Sequence, residues 1–409
     1  MPLETVAGAA RREVPNDWDR RGLPAWTYFS DELLELEAEH LFRRHWQIVA
    51  HVNDLPEPGD FVCFDSVGER ALVVRGRDGV VRAFHNVCRH RGSRVVAEDR
   101  GNIRNVIVCP FHGWTYDLEG KLRGVAQPKT LPALDPDEWG LKRLEMEIWH
   151  GLIFVRFKPG PQPSVADLMA RHDAELAPYG IGNLVAAGPI DWGEESPVNW
   201  KSVRDVDNEG YHVPMAHPGL HELYGRYYYD EAFRDGTSRS FANFNPGPGR
   251  IWSVRAYKSI LPDAHWLPES HRRAWLYIGI FPNQVIGLYP DSVMFYQEVP
   301  LAVDRSRLRG AIWRLPDEDR AMRAARYLSG RIDAVTSEED QQLTIWSWEA
   351  TRSSAYDGIM LSDLEYGVRS YHDHLRGVLP VLSLDERPAP GTMAGLNERM
   401  RAERGSTDR

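Results

Sequence analysis

Apolar positions change their period along this chain, and the changes divide it. Behind Ser30, the residues Leu34, Ala38, Leu41 and Phe42 recur at helical spacing with Asp31 and Glu32 in the first turn, which predicts a capped helix. From Trp46 to Phe157 the pattern shifts to short β-branched and aromatic runs at 61–64, 71–75, 80–84, 103–108 and 152–157. Pro58-Gly59, Asp78-Gly79 and Glu119-Gly120 punctuate these runs as turn signals, so this stretch reads as a compact, mostly β domain.

Three prolines between Lys158 and Pro163 can sustain neither a helix nor a central strand, and they mark a boundary. Ser164 and Asp167 then open a helix in capping-box fashion. Further helices are predicted at 200–211, 317–328, 337–351 and 362–376, with strands at 251–257, 275–281, 285–289 and 293–299. Past Asp385 the chain is rich in Pro, Gly, Arg and Glu and reads as mobile. The expected organisation is an N-terminal segment and helix at 1–45, a β domain at 46–160, an α+β domain at 161–385 and a mobile tail at 386–409. No internal repeat is visible.

Composition narrows the class. In 409 residues, 42% hydrophobic and 26% charged is a globular balance. No run approaches the length of about eighteen apolar residues that a membrane span needs. The start at Met1-Pro2-Leu3-Glu4 has no apolar signal-peptide core, so a soluble, cytoplasmic protein is expected. A net charge of −10 argues against nucleic acid or an anionic membrane as partner and permits a cationic substrate. Three cysteines cannot build a disulfide framework, which turns attention to their spacing.

Cys88-Arg89-His90 and Cys109-Pro110-Phe111-His112 are two mixed Cys/His pairs, eighteen residues apart. Zinc fingers usually pair Cys with Cys and His with His. A two-iron, two-sulfur cluster with two cysteines on one iron and two histidines on the other explains the mixture better, because each loop then gives one ligand to each iron. Cys88-Arg89-His90-Arg91-Gly92 and Cys109 to Asp117, followed by Glu119-Gly120, resemble the Rieske domain of ring-hydroxylating oxygenase α-subunits. Respiratory Rieske proteins add two further cysteines, whereas here only Cys63 remains, inside an apparent strand. Cys63 and His85 complete no spaced pair and read as core residues.

His212 and His217 lie five apart, off one face of an unbroken helix, but Pro214 should bend the chain between them. With one carboxylate they would form the two-His-one-carboxylate face that suits non-haem Fe(II). The run from Asn199-Trp200-Lys201 through Glu209-Gly210-Tyr211-His212 to His217 resembles the mononuclear-iron motif of the same oxygenases. That resemblance implies His212 and His217 as ligands and Glu209 as the acid carrying electrons from the cluster of a neighbouring subunit. Glu in place of the more common Asp looks more like members acting on methylated or quaternary amines, the choline, betaine and carnitine branch.

Within Glu338-Glu339-Asp340-Gln341, Asp340 fits the carboxylate ligand, although Ser337 and Asp340 also resemble a capping box. Asp205, Asp207 and Glu339 are reserves. The family's usual Gln-Arg-Gly-Leu segment is replaced by Trp348-Glu349-Ala350-Thr351-Arg352, and His372 and His374 read as packing residues on a terminal helix.

The implied fold is α+β, a mostly β Rieske domain followed by a helix-grip-like domain with an antiparallel sheet and helices around a mononuclear iron. The implied activity is that of a terminal oxygenase using dioxygen. Its electrons come from an NAD(P)H-dependent flavin/iron–sulfur reductase or a ferredoxin, and its usual assembly is a homotrimer. This chain shows no Gly-rich dinucleotide fingerprint, which places NAD(P)H and flavin on a partner. N-demethylation or hydroxylation of a methylated amine is the expected reaction, with hydroxylation of an aromatic compound as the alternative and a bare electron carrier as a remote one. Tyr224, Tyr227, Tyr228, Tyr229, Trp252, Tyr257, Trp266, Trp275 and Tyr277 are candidate cation–π walls, although such side chains are more often core.

Overall fold

The structure is a computed structural model that describes residues 14–189, 192–225, 228–356 and 358–407. It divides into two compact units, one formed by Phe42–Ala170 with Ile181–Ala186 and the other by the rest of the described chain. Among the described residues no helix is long and apolar enough to cross a membrane.

The first unit is built from small antiparallel sheets. Asp60–Ser66 pairs with Glu69–Arg75, which pairs with Val81–His85, while Arg100–Asn102 adds to the opposite edge. Gln47–His51, Leu152–Arg156 and Glu145–Trp149 make a second sheet. Ile107–Val108, Thr115–Tyr116 and Leu122–Gly124 make a third. The run expected as one strand at 103–108 is extended only at Ile107–Val108. Phe61, Leu72, Val74, Phe84, Trp114 and Tyr116 fill the core, and Cys88 and Cys109 are packed into it. Cys63 lies in the same core, where burial pushes its thiol up to about 12, so it is an unreactive packing residue.

In the second unit an antiparallel sheet runs, from one edge, through Trp192–Ser196, Arg305–Arg314, Val293–Ala302, Gln284–Leu288, Ala274–Ile280, Thr237–Asn243 and Tyr228–Arg234. Leu328 and Ile332 of the long helix Arg320–Ala350 share a core with Trp275, Tyr257 and Leu223. Ser30 caps the helix Asp31–Glu37 by accepting the Leu33 N–H at 3.2 Å, as its sequence predicts.

Three expectations are corrected here. The run at 251–257 is a helix, Trp252–Ile260, because Val254, Tyr257 and Leu261 recur at helical spacing toward the core and override their β-prone composition. The two helices expected at 317–328 and 337–351 are one helix of 31 residues, opened by Asp319, whose carboxylate accepts the Met322 N–H at 2.7 Å. The tail expected to be mobile at 386–409 contains the helix Met393–Thr407. Met393 and Asn397, four apart, are fully buried, and Glu32 accepts the Met393 N–H at 3.0 Å.

Candidate metal centres

Two loops of the first unit are near copies of each other. In one, the Cys88 N–H donates to Ser93 O at 2.7 Å and the Gly92 N–H to Cys88 O at 3.1 Å. In the other, the Cys109 N–H donates to Trp114 O at 2.8 Å and the Gly113 N–H to Cys109 O at 3.0 Å. Each loop closes through a glycine in the left-handed region, Gly92 at φ 74° and Gly113 at φ 70°, where a side chain would strain the backbone.

The loops sort their side chains by chemistry. Cys88 and Cys109 are buried, His90 is exposed, and the rings of His90 and His112 stand 4.6 Å apart. His90 stacks on Trp114 at 5.0 Å. Burial pushes the Cys88 thiol up and the neighbouring Cys109 adds to the effect, while the Tyr116 hydroxyl opposes it. That hydroxyl accepts the Arg89 N–H at 3.1 Å, leaving its own hydrogen for Cys88 Sγ at 3.4 Å. His112 Nδ1 is buried and has no hydrogen-bond partner. A sulfur pair inside, an imidazole pair outside and an orphaned ring nitrogen fit a two-iron, two-sulfur cluster.

The second site sits where a helix stops. Asn199 caps Trp200–Asp207 by accepting the Lys201 N–H at 3.1 Å, and this helix ends before Pro214 is reached. The short helices Val213–Ala216 and Pro218–Leu223 follow, each with proline in its first turn, and they carry His212 and His217 at their starts. The Glu209 carboxylate contacts His212 Nδ1 and also accepts the His212 N–H at 3.2 Å. Glu339 Oε2 lies 2.8 Å from His217 Nδ1. With both Nδ1 atoms turned to carboxylates, both Nε2 atoms are left as lone-pair donors.

Those two Nε2 atoms face each other at 3.0 Å, and Asp340 Oδ1 lies 2.8 Å from one and 3.5 Å from the other. Asp340 Oδ1 is buried and accepts no hydrogen bond. Neighbouring corners of an octahedron with bonds of about 2.1 Å are about 3.0 Å apart, so the three donors match one octahedral face. Burial pulls both imidazoles toward the neutral form. Glu209 and Asp340 at His212, and Asp340 and Glu339 at His217, outweigh it and raise both pKa values. The same negative field draws in a cation.

The competing roles separate cleanly. Ser337 is inside the long helix, so Asp340 caps nothing. Asp205 accepts from the Tyr28 hydroxyl at 2.5 Å and contacts His372 Nε2 at 2.8 Å. Asp207 is held by Arg204 at 2.8 Å and by the Tyr296 hydroxyl at 2.6 Å. Neither reserve joins the triad, and Glu339 serves as the orienting partner of His217.

A cavity of 510 Å³ is lined by His212, His217 and Asp340 together with Tyr224, Tyr228, Tyr277, Tyr289 and Tyr296. Of the aromatic residues expected to form a cage, Tyr257 and Trp275 are buried core, Trp275 stacking on Tyr289 at 4.0 Å. Trp252 and Trp266 are exposed, and Tyr227 lies outside the described residues. Sequence reasoning missed Tyr289, Tyr296 and Asp333. Asp333 was detectable as the residue one heptad before Asp340 on the same helix.

Two cysteine–histidine loops with buried thiols in one unit, and two imidazoles with a carboxylate beside a cavity in the other, define the class as a two-centre iron protein. Residues 45–135 match the Rieske 2Fe–2S domain, and residues 185–380 match the ring-hydroxylating α-subunit catalytic domain. The carnitine monooxygenase oxygenase subunit of Escherichia coli K12 is 32% identical over 301 residues, 68% of this chain and 79% of that one. The chain belongs to the ring-hydroxylating α-subunit family of Rieske oxygenases. The glycine betaine monooxygenase oxygenase subunit of Pseudomonas aeruginosa UCBPP-PA14 is 34% identical over 54% of this chain, and the match spans half of that subunit's length. A quaternary ammonium Rieske monooxygenase shares the fold, with a TM-score of 0.72 at 23% identity over 87% of this chain and 94% of its own.

Proposed function

We propose that this chain is the terminal oxygenase of a multicomponent system that oxidises a methylated or quaternary amine at a carbon beside nitrogen. Cys88, His90, Cys109 and His112 hold the cluster, and His212, His217 and Asp340 hold Fe(II). The cluster supplies single electrons and the Fe(II) supplies open positions for dioxygen. The chain's own residues do the rest. Glu209 and Glu339 fix the two ring tautomers, and the tyrosine walls hold the amine against the triad while excluding bulk water.

The observation that carries this reading is the cavity itself, which tyrosines line together with the triad and whose charged side chains are mainly carboxylates. The names of the amine-oxidising relatives support it. Electrons arrive from a separate NAD(P)H-dependent reductase or ferredoxin, because no dinucleotide fingerprint is present. Glu209, already on His212, links that ring to His112 of a neighbouring protomer in a homotrimer.

Oxygen uptake by the iron-loaded enzyme with a surrogate reductase tests the proposal. Hydroxylation of an N-methyl group gives an unstable carbinolamine, so one formaldehyde and the demethylated amine should appear per dioxygen consumed. A phenol or cis-diol from an aromatic compound, with no amine-coupled uptake, refutes the amine reading and leaves the family assignment standing.

A further inference from the structure

Asp333 stands seven residues before Asp340 on the helix Arg320–Ala350, on the same face and about 10 Å away along the axis. Both residues line the cavity. Asp333 Oδ1 accepts the Tyr289 hydroxyl at 3.1 Å, and that hydroxyl is 2.9 Å from the hydroxyl of Tyr277. Oδ2 is buried and has no hydrogen-bond partner. Tyr289, Tyr277, Tyr224, Tyr257 and Asp291 interact electrostatically with Asp333, all neutral or acidic. Arg326 and Arg331 share a smaller neighbouring cavity with it but are engaged, Arg326 with Glu318 at 2.6 Å and Arg331 over the Trp252 ring at 5.9 Å.

The charge balance of the whole cavity points the same way. Asp207, Asp230, Glu231, Glu298, Asp333 and Asp340 all line it, and among its described lining residues Arg204 is the single Lys or Arg. Arg204 is itself engaged, 2.8 Å from Asp207 and 3.7 Å from Glu298. An entering carboxylate therefore meets acids and finds no uncommitted Lys or Arg among the described lining residues, whereas an ammonium group meets a carboxylate oxygen with nothing bound to it. Burial pushes the empty-site Asp333 carboxyl up to about 8, and a bound cation returns the missing counter-charge.

We infer that the cavity selects a cation carrying no carboxylate of its own, and that Asp333 receives its ammonium group through Oδ2. Tyr277 and Tyr289 add aromatic faces beside that group. The inference rests on the amine reading and narrows it, because it sets a plain cation apart from a zwitterion with the same ammonium head.

Choline and glycine betaine share the trimethylammonium head and differ in a hydroxymethyl against a carboxylate, so they form the test pair. Calorimetric titration of the iron-loaded enzyme should show choline binding tighter than glycine betaine by about tenfold or more, the scale of one desolvated charge or cation–π contact. Asp333→Asn should weaken choline by a similar factor. Dimethylbutanol, the neutral carbon isostere of choline, should bind the wild-type enzyme at least about tenfold more weakly, a readout independent of the variant's folding. Glycine betaine binding as tightly as choline, Asp333→Asn binding choline like wild type, or the isostere matching choline each overturns the inference. Binding of aromatic acids with no binding of any amine instead overturns the amine reading beneath it.

Discussion

Replacing Arg204 with Gln removes the guanidinium that compensates the buried Glu298 and the half-buried Asp207 of the catalytic unit. Arg204 is 1% exposed, its closest approach to Glu298 is 3.7 Å, and neither Glu298 oxygen accepts a hydrogen bond. Glu298 thus depends on the field of Arg204 rather than on any directed bond. Burial pushes its carboxyl up to about 8, with Arg204 opposing and Asp207 adding to the rise. Breaking a buried pair of this kind costs about 3–5 kcal/mol. At about 2–4 °C per kcal/mol for a unit of this size, the catalytic transition should fall by about 10 °C.

The sign with pH follows from the same shift. A carboxyl whose folded pKa is raised destabilises the native state progressively between its unfolded value, 4.5, and its folded value, about 8, as ionisation in the unfolded chain outruns ionisation in the folded one. Without Arg204 the folded pKa climbs further, so the penalty keeps growing past pH 8 where the wild type has levelled off. Differential scanning calorimetry of both proteins at pH 6 and pH 9 should show the larger gap at pH 9. A gap under 2 °C, or one that narrows with pH, would refute the argument that Arg204 compensates buried charge.

The other substitutions separate the two centres. Asp340→Ala should lose most mononuclear iron and all turnover while keeping the cluster, as read by metal analysis and the electron paramagnetic resonance signal of the reduced cluster; full iron content would return the ligand role to Glu339 or Asp207. Glu209→Gln keeps a group against His212 Nδ1 but removes its charge, so stopped-flow transfer from reduced cluster to iron should slow about a hundredfold with both metals retained. Tyr116→Phe removes the hydrogen donated to Cys88 Sγ at 3.4 Å. A bond worth about 1 kcal/mol corresponds to about 40 mV for one electron, and the cluster potential should fall by that order in a redox titration. Cys88→Ser should bleach the cluster and lower the melting temperature of the first unit, because the thiol is packed in its core.

What local sequence determined was the content of each loop. A Cys and a His only two or three positions apart lie on one loop that closes on itself, so its donors fall together wherever the loop is placed, and Gly92 and Gly113 supply the left-handed turns that close it. The same holds for Glu209 and His212, three residues apart and in contact. The helix cap at Ser30 was legible for the same reason, because hydrogen bonds over three residues need no partner from elsewhere.

Tertiary structure decided everything that depends on how a long helix is turned. Glu339 and Asp340 are neighbours in sequence and about 100° apart around the axis, and only the rotation of Arg320–Ala350 over the sheet puts Asp340 on the two Nε2 atoms and Glu339 behind His217. Asp205 and Asp207 looked equivalent to them as acids, yet a similar rotation of Trp200–Asp207 commits one to Tyr28 and His372 and the other to Arg204 and Tyr296. Which tyrosines face the cavity and which form core was hidden too, since side chains alternate between the faces of a strand and both faces here are lined by aromatics. Short-range geometry is written in adjacent residues, whereas the orientation of a helix or strand is set by packing against segments distant in the chain.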